Sequence, residues 1–248
     1  MNRLRSLEGM LMFERLDCPK RTPAAADKRS KMRELAIELT EAKEFADEPK
    51  RRGNRTTRIP EIVEAAINVL AQHGNVGFAL RRVASDVGIH LATLQHYFPT
   101  REDLLRAALE AVATRYLTLY ESVVDDDDLS PEARLDAIVD IAFDELVKRG
   151  THIAPFCLEV WSMAEREEFA RDLVASFNRR FQETFARLLV KINRSLTPRE
   201  CALRGRLLYS HLAGLIVLVR PAHAASSDDE TLRAATKAVW RALSCAPQ

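Results

Sequence analysis

Glycine and aromatic residues are both scarce in this chain of 248 residues. Eight glycines and a 6% share of Phe, Trp and Tyr are present, whereas a sheet-rich fold needs many more turn residues. Hydrophobic residues still make up 47% of the sequence, which is enough for a sizeable core. The composition therefore predicts an all-α fold of packed helices with short connections.

Cysteines at metal-binding or redox spacing are absent as well. Cys18, Cys157, Cys201 and Cys245 lie far apart along the chain, which excludes the paired motifs of zinc and disulfide-exchange sites. We expect neither a metal nor a cofactor. No glycine-rich phosphate loop, paired-histidine helix or nucleophile elbow occurs, so the sequence argues against an enzyme.

Long apolar runs are also missing. The longest aliphatic stretch, Leu212 to Val219, is far too short to cross a bilayer. Residues 1–12 carry charges where a signal peptide needs an apolar segment. We therefore expect a cytoplasmic protein without a membrane partner.

A large net charge is absent too, since the sum is only +1. The charges are nevertheless unevenly distributed: Lys50–Arg58 is basic and free of acids, and Asp125–Asp128 is wholly acidic. Binding to phosphates depends on the local density of cations rather than on the total. The neutral average therefore does not exclude nucleic acid as a partner.

Apolar residues recur at helical spacing along most of the chain and predict about nine core helices, three or four in front and five behind. Residues 1–55 are expected to form a partly disordered extension with one possible helix at 28–48, followed by a basic linker. Residues 56–120 would form a first domain, with a helix-turn-helix at 79–98. Residues 121–248 would form a second helical domain.

The helix-turn-helix prediction depends on spacing within residues 80–94. Val83 and Ala84 share one face of a short helix, and the small Ala84 permits a close helix crossing. Gly88 supplies the permissive backbone of the turn, and Leu94 packs the second helix against the first. Packing alone accounts for these residues, and Thr100 would cap the helix that follows.

The other face of the second short helix is polar, with Thr93, Gln95, His96 and Tyr97 close together. Amide, hydroxyl and imidazole groups on such a helix can meet base edges and phosphates in the major groove. A solvated face of an ordinary helical bundle is the competing interpretation. The polar set favours DNA but does not by itself exclude the bundle.

The stretch from Ile59 to Leu105 resembles the N-terminal domain of the TetR family of bacterial transcription regulators. The likeness is greatest over Thr93–Leu105, which reads Thr-Leu-Gln-His-Tyr-Phe-Pro-Thr-Arg-Glu-Asp-Leu-Leu. It implies an N-terminal three-helix DNA-binding domain followed by a C-terminal helical domain for ligand binding and dimerisation. The partners would be a double-stranded DNA operator, an unidentified small-molecule effector and a second copy of the chain.

Carried over by position, the resemblance implies a set of residues that contact bases or the DNA backbone. They are Arg81, His90, Thr93, Gln95, His96, Tyr97 and Arg101. Two positions depart from the family pattern: Ala79 stands where a capping serine or threonine is common, and His90 replaces a serine. His90 would either donate to a phosphate or simply be exposed.

The basic run Lys50–Arg58 directly precedes this domain. In such regulators an N-terminal arm can follow the minor groove, and an arm of this kind would add affinity with little sequence preference. A solvated linker is the alternative.

For the second domain, the resemblance implies an effector pocket and a dimer interface. The candidate pocket residues are Phe143, Phe156, Trp161, Met163, Phe177 and Phe181, with Trp161 the strongest and with His152 or Glu159 as polar contacts. The candidate interface residues are Leu208, Leu212, Leu215, Ile216, Val239 and Trp240. They belong to a wider apolar set on the last two helices that also contains Leu203, Leu207, Val219, Leu232 and Leu243.

The predicted function is that of a ligand-responsive repressor, which binds a palindromic operator as a homodimer. The effector would move the DNA-reading heads through the helix from Thr100 to Tyr120. The alternative is a helical interaction or scaffold protein with a degenerate helix-turn-helix.

Overall fold

The computed structural model describes residues 55–147, 153–218 and 227–247, and every regular element within them is an α-helix. The all-α prediction is confirmed, and so is the number of core helices in these ranges. The nine helices are α1 (Arg55–Gly77), α2 (Leu80–Val87), α3 (Leu91–Tyr97), α4 (Arg101–Val124), α5 (Pro131–Val147), α6 (Ile153–Ala164), α7 (Glu168–Ile192), α8 (Pro198–Leu218) and α9 (Ser227–Cys245). The helix predicted at 28–48 lies outside the described residues.

Helix α1 begins earlier than the sequence indicated. It starts at Arg55, so the end of the predicted basic linker is already helical, and Arg58 forms an ion pair with Glu61 one turn away (2.7 Å). The predicted end near Gly74 is confirmed, because Gly74 interrupts the helix with φ 65° and ψ 178°. Few residues other than glycine tolerate this backbone conformation.

The buried apolar side chains form two cores. The first joins α1, α2, α3 and the N-terminal half of α4, and it includes Phe156, Val160 and Met163 of α6. The second joins the C-terminal half of α4 to α5, α7, α8 and α9. Helix α4 therefore runs from one core into the other.

The packing crosses the domain boundary predicted at residue 120. Helix α6 follows that boundary in the chain, yet its apolar residues are buried with those of the helix-turn-helix. A movement of α6 would therefore be transmitted directly to the first core.

Candidate nucleic-acid interface and effector cavity

The turn between α2 and α3 is fixed by Gly88, which adopts a left-handed conformation with φ 69° and ψ 35°. The Gly88 N–H donates to the Ser85 carbonyl (3.0 Å) and the Ile89 N–H to the Ala84 carbonyl (2.9 Å), which is the pattern of a Schellman C-cap. A Cβ added at Gly88 would meet no atom within 4 Å. Glycine is therefore favoured here by the backbone conformation rather than by lack of space.

Helix α3 is held by one side chain and exposes most of the others. Leu94 is fully buried, and it lies in the same core as Val83 and Ala84 of α2. Thr93, Gln95 and His96 of α3 are exposed, as are two predicted contact residues on neighbouring segments, Arg81 and His90. Their DNA contacts stay predictions, but all five side chains are accessible to a ligand.

Tyr97 and the cap at Ala79 complete this surface. The Tyr97 ring is half-buried and lies edge-on to the His96 ring, with centroids 5.5 Å apart and an angle of 72° between the planes. Ala79 caps α2 in an extended conformation without a side-chain hydrogen bond, as the sequence indicated. His90, the cap of α3, makes no side-chain capping bond either.

Arg101 has an intramolecular role that the sequence did not indicate. Its guanidinium donates to the carbonyl oxygens of Asn75 (2.9 Å) and Phe78 (3.3 Å) and to the Asn75 side chain. It also lies 5.5 Å from the centroid of the Phe78 ring and 4.0 Å from the Glu167 carboxylate. In the free chain Arg101 therefore ties α4 to the end of α1, and its predicted phosphate contact stays a prediction.

The start of α4 is capped as predicted. The Thr100 hydroxyl accepts from the Asp103 N–H (3.1 Å), and the Asp103 carboxylate accepts from the Thr100 N–H (3.0 Å). The hydrogen bonds from Thr100, first its hydroxyl and then its N–H, lower the pKa of Asp103. This reciprocal pair sets where α4 begins, immediately after the recognition helix.

A cavity of about 120 Å³ lies between α4, α5, α6, α7 and α8. Aromatic rings make up much of its wall, and three of the four tyrosines of the chain are among them. The aromatic lining residues are Tyr116, Tyr120, Phe156, Trp161, Phe177, Phe181 and Tyr209. The volume is comparable to that of engineered cavities, of roughly 150 Å³, that hold benzene.

The structure places four of the six predicted pocket residues on this wall: Phe156, Trp161, Phe177 and Phe181. Met163 is instead buried in the first core. Phe143 was assigned wrongly, because its side chain is completely buried in the second core, with the Arg233 guanidinium 5.5 Å from its ring.

Of the polar contacts, Glu159 does not line the cavity. Its carboxylate accepts a hydrogen bond from the Asn75 N–H (2.8 Å) at the end of α1 instead. His152 lies outside the described residues.

The tyrosines and Glu145 of the cavity wall were not predicted from the sequence. Tyr116 and Tyr120 are one turn apart on α4, and two tyrosines at that spacing among apolar residues could have indicated a partly polar cavity. The Tyr116 hydroxyl donates to Glu145 Oε2 (3.1 Å), and the Tyr209 hydroxyl donates to Asn178 Oδ1 (2.7 Å).

Burial keeps the weak acids of the cavity uncharged. It raises the pKa of Tyr116, Tyr120 and Tyr209, and it raises the pKa of the Cys157 thiol to about 12. The Glu145 carboxylate adds to the increase at Tyr116 and Tyr120, because a second negative charge nearby is unfavourable. The phenol groups are therefore neutral donors at physiological pH.

Most of the predicted dimer interface is core. Leu208, Leu212, Leu215 and Trp240 are at most 5% exposed within the single chain, and Leu212 and Ile216 line the cavity. These residues repeat at helical spacing because they pack inward. Val239 alone of the set is strongly exposed, at 54%.

Other apolar side chains of α8 and α9 are exposed, and three of them belong to the wider set named from the sequence. The exposed side chains are Leu203, Leu207 and Val217 on α8 and Leu232 on α9, and Val239 of α9 adds a fifth. We call these five residues the α8–α9 apolar face. None of the described helices is long and apolar enough to span a membrane.

The helix-turn-helix also identifies the family. Residues 62–108 match the model for bacterial regulatory proteins of the TetR family, a span that runs from α1 through α2 and α3 into α4. A helix-turn-helix type transcriptional regulator named BetI, from Agrobacterium fabrum, is 25% identical over 156 residues, which cover 60% of this chain and 70% of the relative. Residues 62–108 therefore form a TetR-type DNA-binding domain, and the chain is a helix-turn-helix transcription regulator.

Two further comparisons extend beyond this domain. An uncharacterised helix-turn-helix type regulator in the dhlA 5′ region of Xanthobacter autotrophicus is 26% identical over 148 residues, which cover 58% of this regulator and 72% of the relative. The crystal structure of a TetR transcription regulator from Haloarcula marismortui superposes with a TM-score of 0.60. That likeness covers 75% of this regulator and 98% of the other chain at 22% identity, so it shows the common fold.

Proposed function

We propose that this regulator is a dimeric repressor that binds a palindromic operator and is released from it by a small molecule in the aromatic cavity. One observation supports the proposal above the others: α6 lines the cavity and is also packed into the DNA-binding core. Ligand response and palindromic operators are typical of the TetR family.

DNA recognition depends on the exposed side chains around α3. Thr93, Gln95 and His96 would meet base edges in the major groove, because their hydroxyl, amide and imidazole groups suit that pattern of donors and acceptors. Arg81 and Tyr97 would hold neighbouring phosphates, which position the helix without reading sequence. Leu94 fixes the orientation of this surface from the protein side.

Dimerisation would use the α8–α9 apolar face. Leu203, Leu207 and Val217 share one side of α8, and exposed apolar groups at this spacing are typical of a protein–protein contact. A two-fold axis through this face would pair two recognition helices about one DNA turn apart, and such a dimer reads a palindrome.

The ligand signal would reach the DNA-reading helices by two routes. The first is α4, which carries Tyr116 and Tyr120 on the cavity wall and Leu104 and Leu105 in the first core. The predicted pivot from Thr100 to Tyr120 follows this route.

The second route is α6. Trp161 lines the cavity, while Glu159 of the same helix accepts from the Asn75 N–H. Asn75 is in turn bonded to Arg101 and Glu167. A ligand that displaces α6 would therefore pull on the junction between α1 and α4.

The decisive experiment measures binding of the full chain to the DNA upstream of its own gene by fluorescence anisotropy, with an unrelated duplex as control. We expect a specific, salt-sensitive complex, and equal affinity for both duplexes would contradict the proposal. A compound that fills the cavity should weaken operator binding, and identical affinities with and without it would rule out ligand control.

The dimer has a test of its own. The double variant Leu203→Glu and Leu207→Glu should convert the regulator to a monomer in native mass spectrometry and abolish tight operator binding. Val190→Glu is the matched control, because Val190 of α7 is an equally exposed apolar residue, at 52%, outside the α8–α9 apolar face. Dimers that survive in the double variant would contradict the proposed interface.

A further inference from the structure

Glu145 gives the cavity a negative charge without a matching positive one. It is the only acidic residue among the described lining residues, and no described lysine, arginine or histidine lines the cavity. Among the described residues, the Glu145 carboxylate has no ion-pair partner within 4 Å, and its contact is the Tyr116 hydroxyl. The cavity wall is therefore apolar and aromatic around a single carboxylate.

Other carboxylates of the same helix show the contrast. Asp144 of α5 lies 2.8 Å from the Arg233 guanidinium, and Asp140 lies 2.5 Å from the Lys237 ammonium, both on α9. These two carboxylates face α9 and are neutralised by it, whereas Glu145 faces the cavity. A carboxylate in an apolar enclosure is unfavourable unless it is paired and hydrogen-bonded, and Tyr116 supplies only the hydrogen bond.

The aromatic rings of the cavity complement a positive charge. The Phe181 and Tyr209 rings are stacked with centroids 5.4 Å apart, and Tyr120 lies edge-on to Phe181 at 6.0 Å. The faces of such rings carry partial negative charge and attract ammonium groups, most strongly where water is excluded. The raised pKa values of the tyrosines leave these rings neutral, so Glu145 is the one anion among the described lining residues.

We propose that the effector is a compact organic ammonium cation, whose charged group lies against Glu145 and whose alkyl groups lie against the aromatic wall. This inference rests on the proposed ligand control of DNA binding and names its ligand class. A neutral apolar ligand would bury the carboxylate without a partner, and an anion would be repelled by it. The cavity volume limits the cation to a molecule of about the size of benzene.

The test compares choline with 3,3-dimethylbutan-1-ol, which has the same shape but a neutral carbon in place of the ammonium nitrogen. Isothermal titration with the full chain at matched ionic strength should show that choline binds at least about tenfold more tightly than the neutral alcohol. Tetramethylammonium should bind as well. Equal affinity for choline and the alcohol, or no binding of either cation, would overturn the proposal.

Two variants locate the site. Glu145→Gln should remove the preference for the cation, whereas Glu110→Gln should keep it, because Glu110 is exposed on α4 and does not line the cavity. If Glu145→Gln does not fold, Glu145→Ala provides the second measurement, since it also removes the carboxylate. A cation preference that is unchanged in whichever of these two variants folds would overturn the assignment to Glu145.

Measurements of operator binding distinguish a failure of this inference from a failure of the proposed function. If the regulator binds its operator and a neutral ligand releases it, the cation class is wrong and ligand control stands. If cations bind but do not change operator affinity, the site is correct and the proposed ligand control is wrong.

Discussion

The recognition surface and the cavity place their functional side chains in opposite ways. On α3 the candidate base-contacting side chains of Thr93, Gln95 and His96 are exposed, and a different residue, Leu94, holds the helix in the core. In the cavity the candidate ligand-binding side chains are themselves part of the core, as Phe181 shows. Binding and stability should therefore be separable in the first region and coupled in the second.

The largest effect is expected from Phe181→Ala in the cavity. Removal of this ring should lower the free energy of unfolding by about 3–5 kcal/mol, because Phe181 packs against both Tyr120 and Tyr209. The same variant should lose ligand binding. Urea denaturation at a fixed protein concentration gives the first quantity, and unchanged stability would break the proposed coupling.

Gln95→Ala on the recognition helix should show the opposite pattern. We expect a loss of about 1–3 kcal/mol in binding to the specific operator, since an amide that pairs with a base edge contributes that much. Stability should not change, because Gln95 is exposed. The measurement combines anisotropy with denaturation, and His73→Ala, an exposed residue of α1, is the control. If Gln95→Ala weakened DNA binding and also unfolded at a lower denaturant concentration than the wild type, binding and stability would not be separable in this region.

Gly74→Ala tests the junction between the two regions. A Cβ at Gly74 would lie 3.0 Å from the Glu159 carboxylate, and the positive φ is itself strained for alanine. We expect a loss of about 1–3 kcal/mol in stability. Combination with Glu159→Ala should relieve the crowding but not the backbone strain. Full recovery of stability in the double variant would show that the positive φ at position 74 does not destabilise the alanine variant.

The smallest effect concerns the cap of α4 and depends on pH. Since the pKa of Asp103 is lowered by folding, its contribution is present above the unfolded pKa and is lost as the pH falls through the folded value. Thr100→Ala should lower the melting temperature slightly at neutral pH. The difference from the wild type should shrink below about pH 3.8, the usual pKa of the group. A difference that grows on acidification would contradict this assignment.

Local features of the chain were predictable because local chemistry determines them. Gly88 ends α2 through its left-handed backbone, and Thr100 starts α4 through its own side chain. Four of the predicted pocket residues, on α6 and α7, do line a cavity, and their role in binding a ligand stays a prediction. Phe143 does not line it, since an aromatic residue on a buried face looks the same in the sequence whether it meets a cavity or a filled core.

Long-range partners were not predictable in this way. Arg101 has the position of a phosphate-binding residue in the family pattern, but its bonds to Asn75 and Phe78 depend on where α1 ends in space. Leu208 and Trp240 have the periodicity of an interface, yet they are buried within one chain. Periodicity identifies a buried face without telling which surface buries it.

The sequence by itself determined the helices, the turn at Gly88 and the polar set on α3, because spacing, backbone freedom and capping act within a few residues. Only the tertiary structure decided that α6 belongs to the DNA-binding core and that Glu145 faces the cavity while Asp144 faces α9. Neighbouring carboxylates on one helix differ in environment solely through what packs against them. The charge inside the cavity, and with it the class of ligand that we propose, follows from that packing.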